Sequence, residues 1–328
     1  DEDLSILPGE CLVKVLASTG REDVAMVYVV NMGEERLIEC VESIQPPLPR
    51  EEKWVLLVST MFGCPIGCSM CDAGGHYQGK PTREQILDQI DFLVRKRYPD
   101  GVIPAKQFKI QFARMGEPTL NPAVLDVLDE LPVLYHAPGL MPSISTVAPK
   151  GCDDFLEQLL VIKNKHYSGG QFQFQFSIHT TDQALRDQLI PVRKWNFAQM
   201  KVYGERFFKP GDRKITLNFA LAVDMPVEPA VLHEYFDPQK FLIKITPLNP
   251  TYQAMENKLS SYIDPYASEY GYEIVKNLEQ YGYQVIVSIG EVEENLIGSN
   301  CGQYIKRHLA ATQPISDGYT YSIQNFIE

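Results

Sequence analysis

Three of the seven cysteines in this chain crowd into one short stretch, Phe62-Gly63-Cys64-Pro65-Ile66-Gly67-Cys68-Ser69-Met70-Cys71. The C-x3-C-x2-C spacing follows directly on the apolar run Trp54 to Val58. That run reads as a buried strand, which puts the thiols on the loop leaving its C-terminal end. Three thiolates can hold three irons of a 4Fe-4S cube, because soft sulfur suits iron. The fourth iron then has no protein ligand and is open to a small chelating molecule. Two plainer readings stand beside this one: buried structural cysteines, or a zinc site completed by His76. Zinc sites usually show two ligand pairs, and the sequence offers no second pair.

From Trp54 onward, strand-like and helix-like segments alternate. Lys106 to Phe112, Met141 to Thr146, Gln171 to His179, Lys214 to Val223 and Lys240 to Pro247 read as strands. Thr82 to Lys96, Asn121 to Leu131, Cys152 to Asn164, Asp182 to Leu189, Pro226 to Tyr235 and Pro265 to Tyr281 read as helices. Thr82 followed by Gln85 is a helix-start signal. Such alternation implies an α/β fold with a parallel sheet and crossover helices, either doubly wound or curled into a barrel. Before it, residues 10–46 alternate apolar runs with the turn signals Ser18-Thr19-Gly20 and Asn31-Met32-Gly33, and read as a small antiparallel sheet. In Phe172 to His179, the phenylalanines and Ile178 share one face, and Gln173, Gln175, Ser177 and His179 the other. A filled barrel would be apolar on both faces, so this polar face implies a lumen holding a polar ligand and water.

The cysteine loop resembles the signature of the radical S-adenosylmethionine (SAM) superfamily. Met115-Gly116-Glu117-Pro118, Ser145-Thr146, Ser177-Ile178-His179, Pro247-Leu248-Asn249-Pro250 and Asn300-Cys301-Gly302-Gln303 follow in the order seen in its RlmN/Cfr branch, the ribosomal-RNA adenine methyl synthases. The resemblance runs from about residue 10 to about residue 304. It implies a partial (β/α)6 barrel with a small N-terminal β extension and a C-terminal loop and tail. The corresponding division is 1–50 for the extension and linker, 51–290 for the barrel, and 291–328 for the C-terminal active-site loop and tail. It further implies a 4Fe-4S cluster on Cys64, Cys68 and Cys71. SAM would be held by Gly116, Glu117, Ser145, Ser177, Ile178, His179 and Asn249. In the family, an electron from the cluster splits SAM to methionine and a 5′-deoxyadenosyl radical, and a flavodoxin or ferredoxin is the kind of donor expected.

Cys301 matches the cysteine that the methyl synthases methylate and use to reach the adenine ring. Those enzymes release the adduct with a second cysteine, seven residues before the first cluster cysteine. Here that position is Leu57. Cys11, Cys40 and Cys152 are the remaining thiols that could substitute for it, and Glu39 is the match for the family's proton-accepting glutamate. The family also places a helical RNA-binding domain ahead of the first strands, where only nine residues precede Glu10 here, so that domain is expected to be missing. The formal net charge of −12 argues against a large RNA partner, whose phosphates need Lys and Arg. The expectation is therefore a radical SAM enzyme acting on a small molecule or peptide, by methylation or a thiol-assisted radical reaction at Cys301. The alternatives are an RNA methyltransferase with a relocated resolving thiol, or a non-catalytic iron-sulfur or zinc binding module. No apolar run reaches the roughly 18 residues of a membrane span, no signal peptide opens the sequence, and clustered cysteines fit a reducing cytoplasm.

Overall fold

The computed structural model describes residues 13–44, 46–267 and 271–326. Strands β1 (Lys14–Arg21), β2 (Ala25–Asn31) and β3 (Leu37–Ser43) form an antiparallel meander. Strand β3 pairs antiparallel with β4 (Lys53–Val58), and from there the sheet becomes parallel. Then β5 (Gln107–Phe112), β6 (Leu140–Thr146), β7 (Gln173–Ser177), β8 (Ile215–Leu221), β9 (Phe241–Pro247) and β10 (Val285–Val287) are added one after another on the same side. A short β11 (Gln324–Asn325) pairs with β1 at the far edge, so the described sheet is open at both ends.

The crossovers carry helices α1 (Arg83–Arg97), α2 (Ala123–Leu134), α3 (Asp153–His166), α4 (Gln183–Leu189), α5 (Phe197–Phe207) and α6 (Pro229–Tyr235). Helices α7 (Tyr252–Glu256) and α8 (Glu273–Gln280) lie between β9 and β10, and α9 (Val292–Ile297) and α10 (Ile305–Leu309) follow. A doubly wound sheet reverses its strand order at a switch point. Here the order from β4 to β10 never reverses, and right-handed crossovers then place the crossover helices on one face. That is the topology of a partial (β/α)6 barrel with one further short strand.

The two faces differ sharply. Trp54, Leu56, Phe108, Ile110, Phe174, Phe176, Leu217 and Phe219 point to the helices and belong to one large apolar core. Lys53, Gln107, Lys109, Gln111, Gln173 and Gln175 point the other way, into the lumen. On the meander this inner face turns apolar again: Val27, Val29 and Val41 pack with Tyr252, Ile297, Ile305 and Tyr319 in a second core. The chain after β10 thereby covers β1 to β3 and brings residues 298–302 to the lumen's mouth.

Thr82 caps α1 with Gln85 in a reciprocal capping box, as read from sequence. Ser18-Thr19-Gly20 is not a turn: it lies within β1, and the chain turns at residues 22–24. A Cβ on Gly20 would stand 2.1 Å from the Ala25 carbonyl oxygen, so the glycine serves close strand approach near the hairpin end. Helix α8 covers only the last part of the segment from Pro265 to Tyr281, whose first residues form a turn behind Asp264. Helix α5 was missed, although Asn196 and Gln199 form the same capping signal as Thr82 and Gln85.

Candidate functional site

The cysteine loop leaves the C-terminal end of β4, and its shape is set by backbone contacts that only glycine permits. Gly116 has φ +100°, and a Cβ there would stand 2.5 Å from Met61 Cβ and 2.9 Å from Met61 N. That close approach lets Thr60 and Met61 N–H both donate to the Met115 carbonyl, at 2.7 and 3.1 Å. The loops after β4 and β5 are thus locked together. At the other side of the loop, Asp72 N–H donates to the Gly302 carbonyl (2.9 Å), and Thr251 Oγ1 donates to the Met70 carbonyl (3.0 Å). The Asp72 carboxylate accepts from Tyr252 N (3.1 Å), Gln253 N (2.8 Å) and the Tyr319 hydroxyl (3.3 Å). One carboxylate therefore joins the cysteine loop, the start of α7 and the C-terminal segment.

Cys64, Cys68 and Cys71 all line one cavity of about 640 Å³ that occupies the lumen and its mouth. Burial raises all three thiols, Cys64 to about 11, while the backbone N–H groups of Ile66, Gly67 and Glu117 favour a thiolate at Cys64. A coordinated metal would reverse that burial effect. Among the described residues, no three Cys, His, Asp or Glu side chains are grouped to share a single metal ion. A cubane asks for one thiolate at each of three corners, a wider spacing, and three half-buried thiols around one opening fit that demand. His76 is exposed and does not line the cavity, so it does not complete a zinc site with them.

Glu117 is buried, with four donors: Thr119 N (3.2 Å), Thr119 Oγ1 (2.7 Å) and Thr146 Oγ1 (2.6 Å) to Oε1, and Val147 N (3.0 Å) to Oε2. Burial holds its carboxyl above the usual range, and these donors offset only part of that rise. Gln173, Gln175, Ser177 and His179 line the cavity together, as the alternation of β7 requires, and so do Ser145 and Asn249. His179 Nδ1 accepts from Ala220 N (3.1 Å), and burial, then Arg186, lowers the imidazole to about 4. The ring is therefore neutral with its proton on Nε2. Ile178 does not line the cavity: its side chain is wholly buried in the large core, and its N–H donates to the Asn218 carbonyl (2.9 Å).

Cys301 also lines the cavity and is exposed to it, although protein encloses the space around it. Burial pushes its thiol up, against the pull of Arg114 and Lys244. Asn249 Nδ2 donates to its carbonyl (2.9 Å). The preceding carbonyls of Gly298, Ser299 and Asn300 are held by Arg114 at 2.9, 3.0 and 3.1 Å. Arg114 also meets Glu39 at 2.7 Å, with side chains 0% and 1% exposed. Glu39 is thus neither solvated nor at the cavity; its other oxygen accepts from Lys306 N (2.9 Å). Leu57, the position read from sequence as lacking the second cysteine, faces the cavity, whereas Cys40 and Cys152 are buried in the helix-side core. Cys11 lies outside the described residues.

Several residues of the site escaped the sequence reading. Arg114, at the cavity, and Asp72, behind the cysteine loop, gave no signal, because their partners are distant in sequence. Lys109 and Lys244 did: each sits among alternating apolar residues, as Gln173 and Gln175 do. Glu294 faces the cavity as well, accepts from Ser43 Oγ (2.9 Å), and is raised to about 7 by burial.

No family model matches the chain. It is 26% identical over 233 residues to the "Probable dual-specificity RNA methyltransferase RlmN" of Trichormus variabilis, covering 70% of this chain and 60% of that protein. Proteins of the same name from Synechococcus sp. (25% over 259 residues, 76% and 72% covered) and Parasynechococcus marenigrum (32% over 155 residues, 47% and 42%) are also similar. A crystal structure of a radical SAM methyltransferase from Sphaerobacter thermophilus shares the fold, with TM-score 0.65, 18% identity, and 89% of this chain and 80% of that one covered. In fold, loop spacing and motif order, the chain resembles radical SAM proteins of the RlmN/Cfr type.

Proposed function

We propose that the chain holds a 4Fe-4S cluster through Cys64, Cys68 and Cys71 and cleaves SAM to modify a small molecule or peptide held in the lumen. The observation that carries this reading is the single cavity shared by the three thiols, Gly116, Glu117, His179 and Cys301. When bound, the cluster and SAM together supply one-electron cleavage of the sulfonium bond. Glu117 Oε2 accepts one bond from Val147 and keeps a lone pair for the ammonium of SAM. His179 offers Nε2–H, Ser145 and Ser177 offer hydroxyls, and Asn249 holds the Cys301 carbonyl beside them. Cys301 is the thiol that meets substrate, and Arg114 fixes the backbone leading to it. With Leu57 in place of a second thiol, a covalent adduct on Cys301 has no described cysteine in the cavity to release it besides the three proposed iron ligands.

Reduced, reconstituted protein incubated with SAM is expected to yield 5′-deoxyadenosine, and S-adenosylhomocysteine as well if a methyl group is transferred. Absence of both from protein with full iron content contradicts the reading. The names of the relatives favour a second reading, RNA methylation; base methylation of a ribosomal-RNA fragment, bound below micromolar at physiological salt, would establish it instead.

A further inference from the structure

The lumen below the cysteine loop concentrates positive charge inside a chain whose net charge is −12. Lys109, in the middle of β5, is only 9% exposed and turns into the cavity. Lys244, in the middle of β9, lines it too, as do Lys53 and Arg213 at the strands' N-terminal ends. The charged groups acting on Lys109 are Lys244, Lys53 and Arg213, all cationic. Those acting on Lys244 are the Cys301 thiol and Lys53. No described carboxylate acts on either ammonium. The carboxylates that line the cavity are Glu117, held by its four donors, and Glu294, bonded to Ser43. Between the lysines lie Gln107, Gln111, Gln173, Gln175 and Asn218, neutral side chains that can donate to an oxygen.

Burying cations against one another costs free energy unless an anion completes the site. Lys109 is driven down to about 7 by burial and by its cationic neighbours, which is the physical sign of that cost. A wall of ammonium groups and amides that can turn their N–H donors inward, with no free carboxylate among them, matches an oxyanion, whose oxygens only accept.

We propose that the lumen is an oxyanion site: Lys109 and Lys244 hold a phosphate or carboxylate group of the substrate beneath Cys301. This names the substrate's chemical class and rests on the reading of the lumen as the substrate chamber. Lys244 shares the cavity with Cys301 and is close enough for the thiol to act on it electrostatically, so an anion held there keeps the rest of the substrate in the chamber that the thiol lines.

The test uses the full chain with neither SAM nor reductant, so it does not depend on cluster chemistry. Thermal unfolding is followed in pyrophosphate and in citrate, against sodium chloride of equal ionic strength. Wild type is expected to gain a saturable rise in Tm with at least one of them, and the tighter anion tells a phosphate-bearing from a carboxylate-bearing substrate. Lys109→Met is expected to start with a higher Tm than wild type and to bind that anion at least about tenfold more weakly, the loss of one charge-assisted contact. Lys244→Met serves as the second variant if Lys109→Met fails to fold. Equal responses in wild type and variants, or no rise above the chloride control, overturn the proposal. Because 5′-deoxyadenosine formation is measured separately on wild type, failure here leaves the radical SAM reading standing.

Discussion

At the mouth of the barrel, Glu117 accepts four hydrogen bonds, Asp72 accepts three, and Arg114 spends its donors on Glu39 and the three carbonyls before Cys301. Lower in the same cavity, Lys109 and Lys244 meet other cations and no carboxylate. Apart from Arg114 Nε and Gln303 Oε1, which are buried without a hydrogen-bond partner, the mouth is held by its own bonds, so its loops keep one geometry before any ligand arrives, and preorganisation of this kind lets a ligand bind without reordering the site. The lumen is polar but incomplete, and its shape becomes favourable only with something inside it. The comparison separates residues that position loops from residues that await a ligand, and substitutions at the two levels should behave differently.

The largest difference is expected at Cys301. Cys301→Ala removes a thiol from the cavity without touching the three proposed iron ligands, so iron content and SAM cleavage should persist while conversion of the true substrate falls by orders of magnitude. Mass spectrometry after growth in labelled methionine adds a second readout, a methyl on Cys301 if the methyl-synthase route operates. Full product formation by the Ala variant would mean the thiol has no role in conversion.

Next comes the buried pair at the mouth. Glu39→Gln leaves Arg114 charged and uncompensated in the interior, at a cost of about 3–5 kcal/mol in urea unfolding. If Glu39 were a solvated strand residue, the change would be within about 0.5 kcal/mol. Gly116→Ala should be milder, about 1–3 kcal/mol, because a Cβ at φ +100° meets Met61 and forces apart the loops that carry Cys64 and Glu117. Weaker SAM binding should accompany the lost stability.

The smallest effect is a pH dependence in the lumen. Lys109 is charged up to about pH 7 in the folded chain, against 10.5 as its ordinary value. At pH 7 and below, the folded protein therefore carries that charge at a cost. As pH rises from 7 toward 10.5, the folded lysine sheds its proton while the unfolded one keeps it, so stability rises. In anion-free buffer, the advantage of Lys109→Met over wild type should be greatest near pH 7 and shrink toward pH 10. A gap that does not change with pH would show that packing, not charge, sets it.

Most of the frame was legible because it rests on local patterns. The alternation of apolar and polar residues in Phe172 to His179 gave both faces of β7, and Thr82 with Gln85 gave the start of α1. The cysteine spacing and the Gly116-Glu117 motif marked loops at strand ends that the fold brings to one cavity. What stayed hidden depends on contacts far apart in sequence: Arg114 reaching residues 298–300, Asp72 reaching Tyr252 and Tyr319, and Glu39 buried against Arg114. Gly20 misled for a related reason, since its purpose is close approach to Ala25 across a hairpin. Ile178 belongs to a motif by sequence order, yet its side chain belongs to the core.

The central claim is that Cys64, Cys68 and Cys71 hold an iron-sulfur cluster at the mouth of this barrel. Iron, sulfide and zinc content, with Mössbauer spectra, should be measured on anaerobically reconstituted wild type and on the single Cys→Ala variants. The account predicts one 4Fe-4S cluster per chain in wild type and its loss, with loss of SAM cleavage, in each variant. Stoichiometric zinc without iron under reducing, anaerobic conditions would contradict it.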